Sequence, residues 1–286
     1  MTRTHDMKDY HTILFPYAYN ILGSSDDAKD AVQDVLSNFI SSSREGIENE
    51  KGYLIKSVIN QSINIKNKRK KLRYGEVWLP EPVATEEADT NINLREIVSY
   101  SLLVLLEQLN PKERAVFILK EGFGYSHEEI AEVLSSTVEQ SRKLLSRGKA
   151  KLNQSHQPAQ PLASDVPTAE FLEKYIHAIR NRDTNTLENL LSQDITYYAD
   201  GGDTIKVIKK ICTGVHEVAD LLIFVHHKFL ESLSIVPANI NHQPALLFYD
   251  GDHLKTCQVL EISPEGKILQ VNSVVDPEKL KSIVKS

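Results

Sequence analysis

The stretch DDAKDAVQDVLSNFI, residues 26–40, sets the pattern for the first third of the chain. Ala28, Ala31, Val32, Val35, Leu36, Phe39 and Ile40 recur at three- and four-residue steps, while Asp27, Asp30 and Asp34 fall off that stripe. Such spacing predicts an amphipathic helix with one packed face and one acidic face. Residues 5–73 read as helical throughout, and a further helix is expected from about Lys51 through NQSINIKNKRKKLR. It ends in Lys66, Lys68, Arg69, Lys70, Lys71 and Arg73, a run without a carboxylate.

From Tyr74 to about Asn93 periodicity stops. GEVWLPEPVATEEADTN holds two prolines and five acids and reads as a linker, with Trp78 either stapling it to a neighbouring domain or serving a binding role. Helical patterning returns over Leu94–Asn153, with a break at Asn110-Pro111 that places proline at a helix start. Ser126-His127-Glu128-Glu129 and Thr137-Val138-Glu139-Gln140 both fit the capping box, in which the hydroxyl and the carboxylate or amide satisfy free backbone N–H groups reciprocally. Two capped helices around the Ser135-Ser136 turn make a helix-turn-helix. Its second helix turns Leu144 and Leu145 inward and presents Arg142, Lys143, Ser146 and Arg147, the cationic face that a helix in a major groove needs.

A second polar linker, NQSHQPAQPLASDVP, leads into two helices and then the β-like runs DITYYAD, SIVPANI, PALLFYD, LKTCQVLEIS and ILQVNSVV. The turns YDGDH and SPEGK separate the last three runs as hairpins, so an α+β domain follows two helical ones. Composition agrees with a soluble protein: 286 residues, 41% hydrophobic and 25% charged, with no apolar run of membrane-spanning length. MTRTHDMKDYH lacks the apolar core of a secretory signal, and a cytoplasmic location is expected. Cys212 and Cys257 stand far apart without ligand spacing, so neither a disulfide framework nor a metal site is expected. The net charge of −6 argues against a protein that coats nucleic acid unaided; DNA contact must come from local basic patches.

FPYAYNILGSSDDAKDAVQDVLSNF, a polar loop, and YLIKSVINQSINIKNKRKKLR together resemble domain 2 of sigma-70 family factors of the extracytoplasmic-function type. LEQLNPKERAVFILKEGFGYSHEEIAEVLSSTVEQSRKLLSRGKAKL is similar to their domain 4, departing at Ser135, where the family's turn often has glycine. WLPEP resembles a linker motif of the subgroup that carries a C-terminal SnoaL-like domain of the nuclear transport factor 2-like cone fold. Asp276-Pro277-Glu278-Lys279-Leu280 resembles the motif that ends such chains. The implied organisation is domain 2 over 1–74, a linker over 75–93, domain 4 over 94–153, a linker over 154–166 and the SnoaL-like domain over 167–286.

The resemblance implies a sigma factor that binds core RNA polymerase and promoter DNA without a cofactor and is regulated in cis by its last domain. Asp27, Asp30, Gln33 and Asp34 then dock on the clamp of the largest polymerase subunit. Asn60 and Asn64 match positions that hold an extruded base of the −10 element, and Lys66, Lys68, Arg69 and Lys70 hold the backbone. Arg142, Lys143, Ser146 and Arg147 align with the −35-reading face. Trp78, Pro80, Pro82, Asp200, Gly201, Gly202, Asp276, Pro277, Lys279 and Leu280 become interdomain regulatory positions.

The segment Asp200-Gly201-Gly202-Asp203-Thr204-Ile205-Lys206 stands where the subgroup reads Asp-Gly-Gly-Gly-Lys; it lacks P-loop spacing and reads as a glycine turn after a strand. Asp200, Asp203, His216, His226, His227 and His242 are the polar candidates for catalysis, but their spacing defines no triad or metal set. The chain is therefore expected not to be an enzyme. The alternative is a helix-turn-helix regulator whose SnoaL-like domain senses a small molecule or catalyses, with an unidentified small ligand in that domain left open.

Overall fold

The computed structural model describes residues 3–42, 47–70, 78–85, 94–154, 169–207 and 211–283. They group into two compact units, one drawn from 3–70, 94–98 and 102–154, the other from 78–85, 99–101 and 169–283. The end of the basic run at 71–73 and, apart from Gln154 at the end of a helix, the second linker expected over 154–166 lie outside the described residues.

In the first unit α1 (Arg3–Leu22), α2 (Ser25–Ser41) and α3 (Glu50–Lys70) pack on one another. Ser24 caps α2, its hydroxyl accepting from the Asp27 N–H at 3.2 Å. The expected stripe of α2 is buried from Ala28 to Phe39; Ile40, read as part of it, is exposed at the helix end. A 3₁₀ turn (Leu94–Glu96) precedes α4 (Tyr100–Leu106), α5 (Pro111–Phe117) with a π turn (Ile118–Gly122), α6 (His127–Val133) and α7 (Val138–Gln154).

The capping boxes are formed. Ser126 Oγ accepts from Glu129 N at 3.1 Å while Ser126 N donates to Glu129 Oε2 at 2.7 Å, and Thr137 Oγ1 accepts from Gln140 N at 3.1 Å. Asn110 and Glu113 make a third at α5. Ser135 takes φ 48, so the turn keeps the left-handed residue that glycine would supply.

The helical modules, expected as separate domains, share one unit. Arg114 is fully buried; its Nε donates to Asn20 O at 2.9 Å and its guanidinium pairs with Glu107. Lys66 Nζ donates to Leu22 O and to Glu107 Oε1, each at 2.9 Å. Asn20, also fully buried, donates to Glu96 O at 2.7 Å and accepts from Val98 N at 3.1 Å. Tyr17 stacks on Phe123 with centroids 4.0 Å apart.

The second unit holds α8 (Ala169–Arg180), α9 (Thr184–Leu190), β1 (Leu191–Asp200), β2 (Cys212–Thr213), α10 (Val215–Val225) with a π turn (His226–Leu230), β3 (Ser234–Ile240), β4 (Gln243–Asp250), β5 (His253–Ile262), β6 (Ile268–Val274) and α11 (Pro277–Leu280). The sheet runs β2-β1-β6-β5-β4-β3; β1 and β6 are parallel and the other neighbours antiparallel. YDGDH and SPEGK are the β4–β5 and β5–β6 turns, with Gly251 at φ 58 and Gly266 at φ 75. Tyr175, Leu187, Val218 and Leu222 of α8 to α10 bury against Ile195, Phe248 and Val271 of the sheet. This is the α+β architecture expected of a SnoaL-like domain.

Candidate functional site

The helix-turn-helix places its basic residues where the spacing predicts. Ser141, Leu145 and Leu152 of α7 are buried, and Arg142, Lys143, Ser146 and Arg147 are all exposed. Arg142 comes within 3.9 Å of Glu128 and Lys143 within 2.6 Å of Glu139, pairs at solvent-exposed positions that a phosphate can displace at small cost. The face thus combines guanidinium forks with a hydroxyl, the donors that hold phosphates and read base edges.

The α2 and α3 candidates divide. Asp30, Gln33 and Asp34 are exposed on α2 as expected, whereas Asp27 is half-buried and paired with Arg69. Burial pushes the Asp27 carboxyl up and Arg69 pulls it back. On α3, Asn64 and Lys68 are exposed and Lys70 lies at the helix end. Asn60 is otherwise engaged: its Nδ2 donates to Lys56 O at 2.8 Å and to Val133 O of α6 at 3.0 Å.

Lys66 departs most from expectation. It is buried on Leu22 and Glu107, and cannot hold a phosphate while the unit stays closed. Burial, then the Arg114 charge, pull its pKa down to about 8, although Glu107 works the other way. Burial would push the Glu107 carboxyl up, yet Lys66 and Arg114 together hold it below the usual range. Both values move down: two cations stabilise the one carboxylate, while each of them is left only a share of it against burial and the neighbouring positive charge. The basic run without a carboxylate marked this residue as a helix cation; only the packing against Leu22 and Glu107 decides that it faces inward.

In the second unit the residues of WLPEP, the glycine turn and the terminal motif meet. Asp200, 4% exposed, accepts from Gly202 N at 2.8 Å through Oδ1 and from Leu79 N at 2.7 Å through Oδ2. Lys279, 5% exposed, pairs with the same Oδ2, donates to Leu79 O at 2.6 Å, and lies 4.4 Å from the Trp78 ring centroid. One buried ion pair therefore grips both polar groups of a single linker residue, and a cation–π contact covers it.

The rest of the segment is held in the same way. Tyr100 Oη donates to Pro80 O at 2.7 Å and Ser282 Oγ to Pro82 O at 2.8 Å. Ala84 bridges Ile240, with Thr85 N donating to Asn239 O and Asn241 N to Val83 O at 2.9 Å, so the segment extends the β3 edge. The carbonyl partners and the edge pairing carry no sequence signal, because any residue supplies them.

The glycines are required by close approach. A Cβ on Gly201 would lie 2.0 Å from Ile205 O, and one on Gly202, at φ 59, would lie 2.3 Å from Asp276 Oδ2. Asp276 in turn caps α11, accepting from Glu278 N at 3.0 Å, with Pro277 at the first helical position and Leu280 buried. Asp203 is exposed in this turn.

The other polar candidates scatter. His216 pairs with Glu188 at 2.6 Å, His226 is buried edge-on to His227, and His227 Nε2 reaches Ile179 O at 3.2 Å. A cavity of about 630 Å³ does open between α10 and the sheet, but none of Asp200, Asp203, His216, His226, His227 and His242 lines it. Among the described residues no cluster of acids, histidines and cysteines has metal-site geometry, and no helix is long and apolar enough to cross a membrane.

Residues 99–152 match the model of sigma-70 region 4. The chain is 26% identical over 279 residues to the probable ECF RNA polymerase sigma factor SigI of Mycobacterium tuberculosis, spanning 95% of this chain and 92% of the relative. It is 25% identical over 284 residues to the ECF RNA polymerase sigma factor SigJ of the same organism, spanning 93% and 89%. The crystal structure of Mycobacterium tuberculosis SigJ superposes with a TM-score of 0.76 over 98% of this chain and 99% of that one at 21% identity, a shared fold.

Proposed function

Because the chain belongs to the extracytoplasmic-function sigma factors of the sigma-70 family with a C-terminal SnoaL-like domain, we propose that it reads promoters through α7 and is regulated through the Trp78–Thr85 segment. The observation that carries the promoter reading is the exposed row Arg142, Lys143, Ser146 and Arg147 on the second helix of a capped helix-turn-helix inside the matched region. Asp30, Gln33 and Asp34 are the α2 face offered to the polymerase clamp, with Asp27 reinforcing it from beside Arg69. Asn64 and Lys68 are the α3 positions ready for the −10 element, and Asn60 and Lys66 join them once the helical unit opens.

Opening follows from length. The −35 and −10 elements are roughly 25 base pairs apart, or ~85 Å at about 3.4 Å per base pair. In the closed unit Asn60 of α3 touches Val133 of α6, so the two modules cannot span both elements at once. The chain between Lys70 and Tyr100, about 30 residues at ~3.3 Å each, is long enough to bridge that gap when extended. A linker gripped by Asp200 and Lys279 has given up part of that reach. The last domain thereby sets how readily the reading modules separate.

In vitro transcription with core RNA polymerase tests the reading. Arg142→Ala with Arg147→Ala is expected to lower initiation at the cognate promoter at least tenfold with core binding unchanged, since both side chains are exposed and belong to α7 rather than α2. A chain that fails to bind core polymerase, or initiation indifferent to both arginines, would refute it.

A further inference from the structure

We propose that the C-terminal domain carries a binding site for a small amphipathic anion, its apolar body seated between α10 and the sheet and its acidic head among Lys206, Lys228 and Lys255. The cavity there has a volume of about 630 Å³, within the range of small-molecule sites. Ala199, Val225, Leu230 and Val275 supply apolar walls, and Tyr197, Ser232, Thr256 and Ser273 add hydroxyl-bearing side chains to the lining.

The mouth is lined by exposed aromatic and aliphatic side chains. Ile205, Phe224 and Phe229 line it while 41%, 52% and 61% exposed, leaving large apolar side chains in water at one spot. Phe224 and Phe229 meet edge-to-face at 6.4 Å, and Lys228 Nζ sits 5.2 and 5.6 Å from their centroids. An apolar ligand body covers those rings, and a neighbouring anionic group meets the ammonium.

The charges select the sign of the ligand. Among the described residues, three lysines line the cavity against a single carboxylate, Asp250, which lies 3.9 Å from Lys255. Among the described residues neither Lys206 nor Lys228 has a carboxylate partner. A cation would be repelled there and a neutral ligand would leave both ammonium groups unmatched. Asp250 is exposed beside its lysine rather than desolvated within, so the chamber is built to bind.

The site also touches the linker clamp by chain connectivity. Ala199 and Val275 line the cavity and directly precede Asp200 and Asp276, the residues that grip Leu79 and cap α11. A seated ligand therefore presses on the strand ends that hold the linker.

Isothermal titration of the full chain with octanoate, 1-octanol and octylamine tests the site without polymerase, so its outcome is independent of the sigma-factor reading. Octanoate is expected to bind at least tenfold tighter than the alcohol or the amine. Lys206→Gln with Lys228→Gln should weaken octanoate at least tenfold and leave octanol unchanged; both positions are at the surface, and an unaltered thermal midpoint checks the fold. Ala199→Leu, which fills the chamber, should weaken octanoate and octanol alike. Emission from Trp78, the only tryptophan, should shift as octanoate saturates. No heat with octanoate, equal affinity for all three ligands, or unchanged binding in the Ala199 variant overturns the site, and saturation with a steady Trp78 spectrum overturns its link to the clamp.

Discussion

Replacing Lys279 by methionine keeps the length and most of the apolar bulk of the side chain while removing the charge that holds Asp200 and Leu79. Three contacts disappear: the ion pair to Asp200, the hydrogen bond to Leu79 O, and the cation–π contact on Trp78. Breaking a buried pair from one side costs about 3–5 kcal/mol, because the surviving charge is stranded. Asp200 retains the Gly202 and Leu79 N–H groups, which favours the lower end. A loss of ~3 kcal/mol in the local grip corresponds to roughly 100-fold more frequent opening of the segment.

Hydrogen exchange at the Leu79 amide, whose acceptor is Asp200, reads that opening directly. It should quicken about 100-fold, while amides of α1 to α3 exchange as before. Asp200→Asn should also loosen the segment, and the double variant should cost less than the two single changes added, by ~1–3 kcal/mol. Leu79 exchange unaltered in Lys279→Met, or strict additivity, would refute the argument that one ion pair closes the clamp.

Three further outcomes follow from local geometry. Ser135→Val should destabilise the helix-turn-helix by ~1–2 kcal/mol in chemical unfolding, because φ 48 is a poor conformation for a β-branched residue, whereas Ser135→Gly should be neutral or slightly stabilising. Gly201→Ala should cost the second unit about 2–3 kcal/mol in thermal unfolding, since the added carbon lands 2.0 Å from a backbone oxygen that cannot swing away. The helical unit should gain stability as pH rises from about 8 towards 10.5: Lys66 has its folded pKa lowered, so over that window the unfolded chain binds the extra proton. The gain is on the order of 3 kcal/mol, and Lys66→Met should flatten it in urea titrations at several pH values.

The sequence by itself determined the elements and most of the chemistry on their surfaces. The three- and four-residue steps of α2, the paired capping boxes and the basic row on α7 are local patterns, set by backbone hydrogen bonding and by which face meets water. The glycine turn was legible from its residues, whereas WLPEP and the terminal Asp-Pro-Glu-Lys-Leu were legible through their resemblance to motifs of a known subgroup. Their partnership was not. It joins residues about 80 to 200 positions apart, through backbone groups that every residue carries.

Only the tertiary structure decided which polar residues were turned inward. Lys66 and Asn60 have the composition of a DNA-binding face, yet Glu107 of the α4–α5 connection and Val133 of α6 claim them in the closed unit, because a buried cation or amide must find a partner. The parallel pairing of β1 with β6 and the cavity beneath α10 likewise arise from which surfaces meet, and strand periodicity records only that one face of each strand is buried.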